Sequence, residues 1–126
     1  AILLIGSLTI ISSIIIKFRM PEQIKIIKDC IEAEDVKRAF LANKKIQIID
    51  VRSKEEFDQA HIPNAFNISL QDLKNSVSQL DKEFQFIITC GKGGGRSVDG
   101  ANFLRELGLN ATWLCGGTNK WLNINQ

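Results

Sequence analysis

Residues 84–97 read FQFIITCGKGGGRS, and this stretch limits the folds open to the chain more than any other. An apolar, β-branched run (Phe84, Phe86, Ile87, Ile88) leads into Cys90. Gly91, Lys92, Gly93, Gly94 and Gly95 follow, then Arg96 and Ser97. After them Val98, Ala101, Leu104 and Leu107 recur three apart. The pattern is that of a buried strand, a tight loop and a helix, with Cys90 at the strand's C-terminal end. Glycines let a backbone take positive φ and come close to a ligand. Successive N–H groups at a helix N-terminus then form a nest for an anion, and Arg96 adds a planar cation. Such surroundings favour the thiolate, the nucleophilic form of cysteine. A structural cysteine would not require four glycines and an arginine directly after it. The stretch therefore predicts a cysteine nucleophile, Cys90, facing an anionic substrate held by residues 91–97.

The rest of the chain alternates strands and helices. A helix is expected from near Ile31 through Val36, Ala39 and Phe40, stopping at Asn43. Ile46–Val51 reads as a buried strand, and a short helix follows over 54–59. His61-Ile62-Pro63-Asn64 is a turn, and Ala65–Ile68 a short strand. Leu70, Leu73, Val77 and Leu80 share one helical face. The helix after the glycine loop ends at Gly108, a C-cap. Ala111–Cys115 is the last strand, with Trp121 and Leu122 on a short final helix. Strands alternating with helices imply an α/β fold, a parallel sheet with helices on both faces. Ligands in such sheets bind beyond the carboxyl ends of the strands. Asp50, Cys90 and Cys115 are all expected at that rim.

Composition narrows the function. The 126 residues, 44% hydrophobic and 24% charged, suit one domain. A net charge of +2 without a Lys/Arg cluster gives no footprint for nucleic acid. Cys30, Cys90 and Cys115 are widely spaced and odd in number, which speaks against a disulfide framework and for a reducing compartment. With a single histidine, His61, no metal site is expected. Residues 1–16 carry no charge and are followed by Lys17 and Arg19. Three readings stand: a membrane anchor with the domain on the cytoplasmic side, a signal sequence, or a buried strand pair turning near Gly6–Ser7. The anchor reading divides the chain into an apolar segment 1–19 and a domain 20–126, and without an anchor the protein is expected in the cytoplasm. A connector with a short strand at Ile24, Ile26 and Ile27 would join the two.

Four stretches, IIDVRSKEEF at 48–57, HIPNAFNIS at 61–69, the cysteine loop at 90–97 and GGTNKW at 116–121, occur in an order that resembles the rhodanese domain. The likeness runs from about Ile31 to Leu122. It implies a three-layer rhodanese-like fold and sulfurtransferase activity. Cys90 would take the outer sulfur of thiosulfate or a similar small anionic donor as a persulfide, then yield it to cyanide, a thiol or a sulfur-carrier protein. Gly91, Lys92, Gly93, Gly94, Gly95, Arg96 and Ser97 would bind the donor, with no cofactor. Two departures stand out. Five residues separate Cys90 from Arg96 where single-domain rhodaneses have four, a spacing found in rhodanese-fold phosphatases and arsenate reductases. Those phosphatases, however, place His where this chain has Thr89. Cys115 stands where the family often has an acidic residue.

The remaining motif residues carry structural expectations. Arg52 and Glu56 are expected to pair as a support, and Asp50 to orient loop amides or Arg52. His61 is expected to bond backbone in its turn, Trp113 and Trp121 to pack, and Cys30 to be inert. Cys115 is read as a small core thiol, with a second reading as acceptor of sulfur from Cys90 or its disulfide partner.

Overall fold

The computed structural model describes residues 29–123. The expectations for residues 1–16, for the 19/20 boundary and for a strand at 24–27 lie outside them. Among the described residues no helix is long and apolar enough to cross a membrane.

Five parallel strands form one sheet in the order β1-β5-β4-β2-β3. They are β1 (Cys30–Ile31), β2 (Ile46–Asp50), β3 (Phe66–Asn67), β4 (Gln85–Thr89) and β5 (Ala111–Leu114). The helices are α1 (Ala33–Leu41), α2 (Lys54–Gln59), α3 (Leu70–Ser76), α4 (Gly95–Glu106) and α5 (Gly117–Trp121). Successive strand side chains point to opposite faces, and both faces are apolar here. Ile49, Phe86 and Ile88 meet Leu73 of α3 and Ala101 and Leu104 of α4. Ile46, Ile48 and Ile87 meet Val36 of α1 on the other side, with Trp121 of α5 against them. This is the expected layered α/β fold.

Local sequence sets the connections. Ser53 and Glu56 form a capping box at α2, and the Ser69 hydroxyl accepts the Asp72 N–H at α3. Asn43 and Asn64 adopt φ 55° and 69°, the left-handed conformation that asparagine tolerates. Gly108, at φ 82°, ends α4, and the Leu109 N–H bonds the Leu104 carbonyl behind it.

Three expectations change. The chain before α1 is an edge strand, because Cys30 and Ile31 pair with Trp113 and Leu114. The helix expected from Ile31 therefore starts at Ala33, after Glu32. The stretch 70–80 is divided into α3 and a 3-10 turn at Val77–Gln79. The third change concerns the thiols. Cys30 and Cys115 form a disulfide with Cα atoms 5.1 Å apart, since pairing of β1 with β5 brings their strand ends together. Cys30 is thus not an inert thiol, Cys115 is neither a free core thiol nor a partner of Cys90, and the reducing compartment loses its basis. β5 does lie beside β4 as expected.

Candidate active site

Cys90 follows the last residue of β4, a central strand with both neighbours paired, at the carboxyl end of the sheet. It is 6% exposed and is the chain's free cysteine. Its Sγ lies 3.3 Å from the Gly94 carbonyl oxygen and 3.3 Å from Ser97 Oγ. The Ser97 hydroxyl donates to the Gly94 carbonyl at 2.9 Å and accepts the Gly94 N–H at 3.1 Å. Ser97, fully buried, therefore ties the opening of α4 to the thiol. The loop between them curls round a cavity of about 580 Å³ lined by Glu56, Cys90, residues 91–96 and Asn119. The opening turn of α4 adds N–H groups without intrahelical acceptors.

The loop stands on the turn after β5. The Thr118 N–H bonds the Cys90 carbonyl at 2.8 Å, and the Asn119 N–H bonds the Gly91 carbonyl at 2.9 Å. The buried hydroxyls of Thr89 and Thr118 are 3.1 Å apart, and Thr89 also donates to the Cys90 carbonyl. Gly93, at φ 77°, touches this turn with bare backbone. A Cβ there would fall 2.7 Å from the Gly116 nitrogen and 2.9 Å from the Leu114 oxygen. The contribution of Thr118 and Asn119 escaped sequence reading, although GGTNKW marked the segment.

The ion pairs are not those expected. Arg52 turns back onto the strand and grips Asp50, with Nε to Oδ1 at 2.9 Å and Nη2 to Oδ2 at 2.7 Å, and Nη2 also donates to the Ala60 carbonyl. Both residues are buried. The expected Arg52–Glu56 pair is absent because Glu56 points the other way. Its carboxylate receives both Arg96 nitrogens, at 2.8 and 3.2 Å. The Arg96 hydrogen bond holds the Glu56 carboxyl at about 2, with burial opposing and the Ser53 N–H assisting. The same hydrogen bond raises Arg96 further. Arg96 thus stands at the cavity rim with its cation shared with a carboxylate. Lys92 is exposed on the loop.

Asp50 and His61 do not line this cavity. His61 is exposed, and its Nδ1 is 2.9 Å from the Phe57 carbonyl. Its ring stacks on Phe57 at 3.9 Å. Among the described residues no group of three metal-binding side chains occurs.

A parallel sheet with helices on both faces, and a free thiol enclosed by a glycine loop at its carboxyl edge, defines an α/β domain with a cysteine-loop cavity. The chain belongs to the rhodanese-like domain family, whose model matches residues 32–124. It is similar to the thiosulfate sulfurtransferase GlpE of Shewanella oneidensis, at 31% identity over 83 residues, 65% of this chain and 81% of that protein. It is also similar to the adenylyltransferase and sulfurtransferase uba4 of Ogataea parapolymorpha, at 32% identity over 76 residues. That match spans 59% of this chain and 19% of the relative. Among solved structures it resembles a rhodanese-like domain protein from Staphylococcus aureus, with a TM-score of 0.68 and 31% identity. That likeness covers 75% of this chain and 91% of the other.

Proposed function

We propose that the domain is a sulfurtransferase that carries a sulfane sulfur as a persulfide on Cys90. The observation that carries this reading is the free thiol of Cys90, buried in the wall of a cavity made by its own loop. The thiol first releases its proton to solvent. The thiolate attacks the outer sulfur of thiosulfate or a similar donor. The sulfur–sulfur bond breaks, and sulfite leaves with the electron pair. Cyanide or a thiolate then attacks the terminal sulfur and takes it as thiocyanate or a new persulfide, returning Cys90 as thiolate. Loop amides and Lys92 hold the anion, with Arg96 at the rim. A sulfur-carrier protein is a further candidate acceptor, in keeping with relatives in which a sulfurtransferase is joined to an adenylyltransferase. The reading of residues 1–16 as an anchor is carried forward as a proposal. Carbonate extraction that releases full-length protein from membranes would overturn it.

The spacing of five residues between Cys90 and Arg96 favours a second reading, a phosphatase or arsenate reductase. A phosphatase must protonate its leaving alkoxide, help worth roughly 10²–10⁴-fold. The carboxyl lining the cavity is Glu56, held ionised near pH 7 by a value of about 2. Expulsion of sulfite needs no acid, which favours sulfur transfer. Thiosulfate treatment should add 32 Da (~32, one sulfur) to Cys90. Thiosulfate:cyanide transfer should vanish in Cys90→Ser and weaken strongly in Arg96→Ala. Robust hydrolysis of aryl phosphates or reduction of arsenate, with no persulfide formed, would promote the second reading.

A further inference from the structure

The cavity holds a feature that sulfur transfer by itself does not require. Glu56 is one of its lining residues, together with Cys90 and Arg96, and it engages both terminal nitrogens of Arg96. An anionic donor entering here meets a carboxylate at the rim and a guanidinium already occupied. Glu56 is fixed in place from the other side, because its Oε1 also accepts the Ser53 N–H of the capping box. The carboxylate is therefore positioned by the fold rather than by the arginine alone. Lys92 and Arg96 against Glu56 leave the charged side chains of the mouth with one net positive unit.

We infer that Glu56 is a specificity-determining residue that sets the charge preference of the site, weakening the binding of dianionic sulfane donors more than that of singly charged ones. This rests on the sulfur-transfer reading given above. The donor class is an organic thiosulfonate or hydropersulfide anion. With a thiosulfonate, the Cys90 thiolate attacks the terminal sulfur, the sulfur–sulfonyl bond breaks, and a sulfinate leaves with the electron pair. Glu56 acts through Coulomb repulsion and through its hold on Arg96, so its effect grows with the charge on the donor. At a half-exposed rim a unit charge is worth about threefold in affinity per unit of donor charge, hence about tenfold for a dianion.

The test compares thiosulfate, a dianion, with benzenethiosulfonate, a monoanion, in wild type and Glu56→Gln. Glutamine keeps an oxygen for the Ser53 N–H and removes the charge. The expected result is a KM for thiosulfate about tenfold lower, a KM for benzenethiosulfonate about threefold lower, and kcat within about twofold for both. Raised ionic strength should shrink both differences. Equal changes for the two donors, or none, would overturn this inference alone. If Cys90 of the wild type forms a persulfide with neither donor, the sulfur-transfer reading falls and this inference with it. Should Glu56→Gln not fold, Glu56→Ala also removes the charge and leaves Arg96 in place. The readout is the same: the KM for thiosulfate must fall by a larger factor than that for benzenethiosulfonate, and equal factors refute the inference.

Discussion

Arg52 shows how a residue two positions from a helix start can be misassigned. Its spacing from Glu56 suggested a pair along one helical face. But Ser53 is the N-cap and Glu56 the third residue inside α2, so Arg52 precedes the helix and folds back onto β2. The companion expectation, that Asp50 orients Arg52, holds: both Asp50 oxygens accept from the guanidinium. Removing one partner of a buried pair leaves a charge without compensation, at about 3–5 kcal/mol. Arg52→Met should cost that much in urea unfolding, far more than the rim substitution Glu56→Gln. Glu56 carries a pH signature of its own. Its folded value of about 2 lies below its value of 4.5 in a free side chain. The stabilisation it brings is therefore complete above about pH 4.5 and is lost as pH falls toward 2. Because the pair is half-exposed, the stabilisation is under about 1 kcal/mol. Urea midpoints of wild type and Glu56→Gln should converge between pH 5 and pH 2, about the span from above the free-carboxyl value to the folded one. In the range of activity assays near neutrality, Glu56 should add no titration to the rate profile.

At the level of elements, the strand-and-helix rhythm was legible because β2 and β4 are continuous apolar runs bounded by turn residues. β1 was not legible: two residues beside a helix carry no periodicity, and their strand character comes only from pairing with β5. The glycine loop was legible as a tight turn round Cys90, yet its dependence on the turn at 116–119 was not, since those contacts join residues 23 to 28 apart in sequence. The contact separates two kinds of glycine. Gly93 and Gly108 both have positive φ, at 77° and 82°, so alanine strains either backbone by about 1 kcal/mol. Only Gly93 abuts backbone atoms; a Cβ at Gly108 meets nothing within 4 Å. Gly93→Ala should therefore push the loop off its support and sharply reduce persulfide formation, while Gly108→Ala should leave it unchanged. Mass spectrometry after thiosulfate treatment, beside thermal melts of both variants, checks the pair.

Across the whole molecule the decisive constraint is the Cys30–Cys115 bond, which spans 85 residues and closes nearly the full length of the domain. An odd cysteine count hid it, because pairing is set by which strands become neighbours and not by spacing. Loop-closure entropy for such a span gives about 4–5 kcal/mol, and measured bridges typically give 2–4. Cys30→Ser should lower stability by about that amount, read as a fall in urea midpoint that reductant reproduces in the wild type. Alkylation without reductant should label one of the three cysteines. On the sulfur-transfer proposal, the third thiol would then have no cysteine to hand its cargo to, since the other two are tied to each other. The loaded protein would hold one sulfur per chain, without an internal relay to discharge it and without a second thiol to close on when oxidised. How long it stayed loaded would be set from outside, by the concentration and nucleophilicity of whatever reaches the mouth of the cavity.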